Sequence, residues 1–222
     1  MIRTSTTLRF ALLLTAANGF LDSYTYLARG GVFANVQTGN VIFAAIDLAH
    51  WHWGNTLAHL WPILAFLAGV TLASHIKSGR VHKVIGHPLR WTMAVQASVL
   101  AVMGFVPASV PHSFVNVPIS FVSAMQMGLF RSIGDLVYLP VATTGNLMRF
   151  IEAGYAGFVD KAIKSRKAFR IYGILIVVFA AGAVAGAFAT ITWHVHAILL
   201  PAALLAFTLA LFVVDGRKGK EP

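Results

Sequence analysis

Thr38-Gly39-Asn40 and Thr144-Gly145-Asn146 write the same polar tripeptide twice, each inside an otherwise apolar stretch. A glycine flanked by hydrogen-bonding side chains interrupts an apolar helix. Two such interruptions about half a chain apart suggest a duplicated unit, with two broken helices facing a common place.

The surrounding composition sets the class. Hydrophobic residues make up 58% of the 222 positions, charged residues 11%, and the mean hydropathy is +0.75. Soluble domains carry about 25% charged residues, so this chain cannot coat a core with charge and is expected to be an integral membrane protein. The net charge of +10 does not indicate a nucleic-acid partner, because the basic residues gather in short loops between apolar windows. With no cysteine, disulfides, thiolate metal sites and cysteine nucleophiles are excluded. The first 17 residues resemble a signal peptide, with Arg3 and Arg9 ahead of an apolar run. The polar Asn18 and Asp22 just beyond fit a retained first helix better.

Six windows read as full spans: 8–28, 56–76, 91–107, 114–130, 171–193 and 197–214. Windows 32–49 and 136–157 carry the tripeptides. If these two dip in and return, only Arg29 of the 17 Lys and Arg residues lies outside. If they cross, Lys77, Arg80, Lys83, Arg90 and Arg131 join it. The charge rule favours re-entry, with both termini cytoplasmic in a bacterial inner membrane. The helical remnants 40–49 and 146–157 would be roughly 15 and 18 Å long, about half the hydrocarbon thickness.

The duplication extends further. Phe66-Leu67-Ala68-Gly69 follows the first tripeptide and Phe179-Ala180-Ala181-Gly182 the second, with Ala73 and Gly186 four residues on. Small residues at this spacing let helix backbones approach, within the chain or in a homo-oligomer. The expected architecture is all-α: one membrane domain over 1–222, a repeat at about 8–110, a second at about 111–214, and a basic tail 215–222. Three crossings per repeat make the second copy inverted, as in transporters with a midplane site.

Thr38 and Thr144 are good helix N-caps, and Gly39 and Gly145 supply backbone freedom for the turn. Uncapped amides and the helix dipole put positive potential at each N-terminus, favouring an anion or a hydrogen-bond acceptor. Asn35, Gln37, Asn40, Thr143 and Asn146 would line the same site. The competing role for these polar groups is to stitch the broken backbone to its neighbours. Asp22 is an intramembrane carboxylate, either proton-coupling or structural. Gln126 lies in the corresponding stretch of the second repeat, with Arg131 and Asp135 after it. Arg149 and Glu152 are spaced to pair along a helix.

His50, His52 and His59 cluster with Trp51, Trp53 and Trp61 on the expected outer side, and His194 and His196 follow Trp193 there. The tryptophans read as an interfacial belt. No carboxylate or thiolate accompanies the histidines in sequence, so no metal is expected. No cofactor motif and no enzyme signature is present, and the expectation is a non-enzyme.

Gly19-Phe20-Leu21-Asp22 followed by Phe33 and Gln37-Thr38-Gly39-Asn40 resembles the YoaK-like family of bacterial membrane proteins. So does Ala124-Met125-Gln126-Met127-Gly128 followed by Ala142-Thr143-Thr144-Gly145-Asn146. The resemblance runs from about residue 12 to 214. It implies a six-span inner-membrane protein carrying a domain of unknown function, and implies no substrate. The functional expectation is a transporter or channel for a small polar or anionic solute. The alternative is a non-transporting membrane scaffold or assembly protein.

Overall fold

The computed structural model describes residues 4–79 and 86–217. Parts of three expected features lie outside these residues: the first three positions, the basic stretch at 80–85, and the tail after 217. Eight α-helices are described: α1 Leu8–Ala28, α2 Gln37–Ala49, α3 Trp53–Lys77, α4 Pro88–Met103, α5 Ser113–Leu129, α6 Thr143–Phe158, α7 Ile163–Trp193 and α8 Leu199–Arg217. Thr7 caps α1, its Oγ1 accepting from the Phe10 amide at 3.3 Å.

Two departures from expectation concern the second half. A hairpin of β1 Ser132–Ile133 and β2 Leu136–Val137 interrupts the helical order, turning at Gly134 with φ of 54°. Its tip is held by the Gly134 amide donating to the Thr6 carbonyl at 3.0 Å. The basic stretch before residue 171 is not loop. It forms the first turns of α7, whose 31 residues extend roughly 46 Å, well past a hydrocarbon core of about 30 Å.

Among the described residues two helical stretches are long and apolar enough to cross a bilayer. They are Trp53–Lys77, with mean hydropathy 1.7, and the run Ile163–Asp215, at 2.7, which holds α7 and α8. The side-chain distribution suits association with a membrane. Asn18, Asp22, Asn35, Gln96, Asn116 and Gln126 are buried, whereas Val177, Val184, Phe188 and Ile191 on α7 are exposed. Apolar residues outside and amides inside invert the usual soluble arrangement.

The helices pair in a regular way. α1 packs on α7 and α3 on α5; α2 packs on α3 and α6 on α7; α4 packs on α8; α1 and α4 pack on α8 and α5 respectively. Exchanging α1–α4 with α5–α8 maps this set of pairings onto itself. The closest pairs are zipped by small residues. A Cβ on Gly19 would collide with the Phe179 carbonyl, one on Gly182 with that of Ala16, and one on Gly186 with that of Phe20. In the other pair, a Cβ on Gly69 would collide with the Phe121 carbonyl, and one on Gly128 with the Ala73 side chain. The small-residue faces considered for a homo-oligomer are therefore covered within the chain. Helices α1, α4, α5 and α8 enclose the main core, which includes Phe10, Leu14, Met93, Ile119, Phe130 and Phe212.

Candidate functional site

Both tripeptides lie inside the first turn of a helix rather than ahead of it, because α2 starts at Gln37 and α6 at Thr143. The N-caps are Val36 and Ala142, both extended and neither making a side-chain cap bond. Thr38 and Thr144 are exposed and are not caps, which corrects that expectation.

The asparagines hold the start of each helix instead. Asn40 donates from Nδ2 to the Phe33 carbonyl at 2.6 Å and accepts at Oδ1 from the Phe33 amide at 3.3 Å. Asn146 does the same to Leu139, donating at 2.9 Å and accepting at 3.1 Å. In both helices the clasp reaches seven residues back. It satisfies both backbone polar groups of a residue outside regular structure, where an unmet group would be costly. Gln37 braces the first clasp, accepting from Asn40 at 2.9 Å and donating to the Ala34 carbonyl at 3.1 Å.

The glycines have a different purpose from the one expected. Neither Gly39 nor Gly145 has a positive φ. A Cβ on Gly39 would press on the Phe33 ring at 2.8 Å, and one on Gly145 on the Leu139 side chain at 3.0 Å. Each glycine thus seats the side chain of the residue whose peptide the next asparagine clasps.

A cavity of about 550 Å³ brings the first turns of α2 and α6 together. Of the expected site residues, Asp22, Gly39, Thr143 and Thr144 line it. Asp22 is 7% exposed, and its Oδ1 has no hydrogen-bond partner. The Asn35 backbone amide bonds its carboxyl group. Thr143 Oγ1 is likewise buried and unpartnered. Asn35 itself stands behind the wall, donating from Nδ2 to the Asn18 carbonyl at 3.1 Å. Ala34 beside it donates to Thr25 Oγ1 at 3.3 Å and accepts from Ser120 Oγ at 2.7 Å. The irregular segment before α2 is therefore stitched to both α1 and α5.

Gln37, Thr38, Asn40, Gly145 and Asn146 do not line the cavity either, and Gln126 and Arg149 point to other partners. Gln126 sits in a buried amide cluster, its Oε1 accepting from Asn18 at 2.9 Å and from Gln96 at 3.1 Å. This ties α1, α4 and α5 and leaves the cavity without an amide from α5. Arg149 turns back along its own helix, donating to the Gly145 carbonyl at 3.0 Å. It makes no ion pair with Glu152 among the described residues.

The structure also supplies a carboxylate that sequence spacing hides. Asp47 lies between His52 and His59, at 3.7 and 3.6 Å. His59 Nδ1 is 3.5 Å from the Oδ1 of Asn40, the clasp residue. No group of three ligands able to hold a metal occurs among the described residues.

Arg29, which the charge pattern marks only as the lone outer cation, has a structural part. It is fully buried, donating to the carbonyls of Met103, Val106 and Pro107 at 3.4, 2.7 and 3.3 Å and to the Tyr24 hydroxyl at 3.0 Å. Its own carbonyl accepts from Asn116 at 2.9 Å. The guanidinium closes the carbonyl end of α4, where a positive charge is favoured.

No curated protein and no solved structure matches the chain. A family model described as protein of unknown function (DUF1275) matches residues 10–211, in keeping with the resemblance to YoaK-like membrane proteins. With nearly the whole described fold inside that match, the chain belongs to the DUF1275 family.

Proposed function

We propose that the protein is a carrier or channel for a small polar or anionic solute, without enzymatic activity, in the bacterial inner membrane. In this reading α1, α3, α4, α5, α7 and α8 cross, α2 and α6 are re-entrant, and both termini are cytoplasmic. The two quartets of helices are inverted repeats. The exchangeable set of helix pairings supports the repeat. Helix length supports re-entry of α2, whose 13 residues reach only roughly 20 Å.

The observation that carries the reading is the shared cavity. The uncapped first turns of α2 and α6 reach one space with a carboxylate on its wall, one oxygen of which has no partner. Helix N-termini attract acceptors and anions, and a buried carboxylate in a membrane helix is a natural proton carrier. Reconstituted vesicles test this with a panel of small anions, amino acids and polyols. Flux above empty vesicles, reduced by Asp22→Asn and Thr143→Val in protein that still folds, is expected. No flux for any member of the panel overturns the reading.

One observation favours a non-transporting scaffold. The side chains of Asn40 and Asn146 are engaged with backbone rather than presented to a solute. Under that role, cavity-lining substitutions leave no transport to lose, and only the clasp variants have a phenotype.

A further inference from the structure

The cavity wall carries two features of opposite sign. Asp22 presents a carboxylate that is 7% exposed with Oδ1 unpartnered. The first turn of α6 at Thr143 and Thr144 lines the same space, with no side-chain cap and partial positive charge on its amides. Among the described residues, no lysine, arginine or histidine lines the cavity.

This arrangement discriminates among ligands. A simple anion at the α6 turn meets the field of Asp22 with no cation to offset it. A simple cation at Asp22 meets the positive ends of two helices. A ligand bearing both charged groups on one carbon satisfies both, with each buried charge paired.

The remaining wall is mostly apolar. Tyr26 and Phe33 stack with ring centroids 5.0 Å apart. Leu27, Val36, Phe179, Ala183 and Ala187 stand with them, Ser23 being the polar side chain among them. About 550 Å³ lies in the range of sites for organic ligands and far exceeds the room a single ion needs.

We propose that the cavity binds an α-amino acid with an apolar side chain. Its carboxylate sits at the first turn of α6, its ammonium at Asp22, and its side chain against Tyr26, Phe33 and Phe179. The inference rests on reading this cavity as the solute site, and it narrows the solute from any small polar species to an apolar zwitterion.

The test uses the full chain, purified in nanodiscs, and four probes read by calorimetry. L-leucine carries all three features. 4-methylpentanoate lacks the ammonium, 3-methylbutylamine lacks the carboxylate, and glycine lacks the apolar body. Leucine is expected to bind about tenfold or more tightly than each of the others, as loss of one charged hydrogen-bonding group implies. Asp22→Asn is expected to weaken leucine and to strengthen 4-methylpentanoate, whose carboxylate no longer meets the charge of Asp22. Because the probe series is run on the unmodified protein, a misfolded variant does not blunt it.

Equal binding of leucine and 4-methylpentanoate, or of leucine and 3-methylbutylamine, overturns the zwitterion. Equal binding of glycine overturns the apolar contact. If leucine neither binds nor moves while formate or phosphate crosses reconstituted vesicles, this inference fails and the transport reading stands. If leucine binds with the expected ranking but nothing crosses, the inference stands and the transport reading fails.

Discussion

Asn40 grips the peptide of Phe33 at both ends, donating to its carbonyl at 2.6 Å and accepting from its amide at 3.3 Å. Asn146 and Leu139 repeat this relationship at the same seven-residue separation. One side-chain amide thereby does for an irregular segment what a neighbouring strand does in a sheet. Removing either asparagine leaves a donor and an acceptor without partners. Asn40→Ala and Asn146→Ala are each expected to destabilise the fold by about 1–3 kcal/mol. Asn40→Asp keeps the shape and the acceptor but loses the donor, so it too is expected to destabilise. Thermal unfolding in detergent checks all three, and unchanged midpoints would contradict the clasp.

The α1–α7 contact has no room for a methyl group at Gly19, where a Cβ would meet the Phe179 carbonyl. Gly54, at the start of α3, has open space around it. Gly19→Ala is expected to destabilise by about 1–3 kcal/mol, as overpacking does. Gly54→Ala is expected to be neutral or slightly stabilising, through helix propensity. Equal effects in the same unfolding assay would show that the close approach is unimportant.

Arg29 joins the end of α1 to the carbonyl end of α4 through a planar fork of donors. Lysine at this position keeps the charge but reaches fewer carbonyls. Arg29→Lys is expected to lower stability by about 1.5–3 kcal/mol, the range for hydrogen bonds to a charged group. Arg29→Met removes the charge as well as the donors. It should expose the α4 end to proteolysis in the segment after Met103, read by limited digestion of intact membranes.

Asp135 and Asp160 are both exposed and stand on either side of α6. Since the chain has no native cysteine, Asp135→Cys and Asp160→Cys report topology directly. Re-entry of α6 makes both react with a membrane-impermeant thiol reagent from the cytoplasmic side. Labelling from opposite faces would make α6 a full span and remove the inverted repeat.

Much of the helical order is legible in local pattern. The first expected span coincides with α1, and the others differ from their helices mainly at the ends. The reason is that apolar run length is a property of consecutive residues. The pattern places the onset of α2 and α6 three residues too late, because Gly39 and Gly145 read as turn residues. They are helical, and their small size answers a side chain six positions back. The β-hairpin before α6 leaves no sequence signal, because four residues of strand are too few to show alternation.

By itself the sequence determined an apolar helical chain, the doubled tripeptide, and the asymmetry of its basic loops. These depend on composition and short-range spacing. The tertiary structure alone decided which peptide each asparagine clasps, that Asp47 joins His52 and His59, and that Arg29 caps α4. It also decided that Asp22 and Thr143 share a cavity while Gln126 does not. Such pairings join residues from separate helices or irregular turns. They follow from which helix faces can approach closely, and here the glycines of α1, α3 and α7 set that approach.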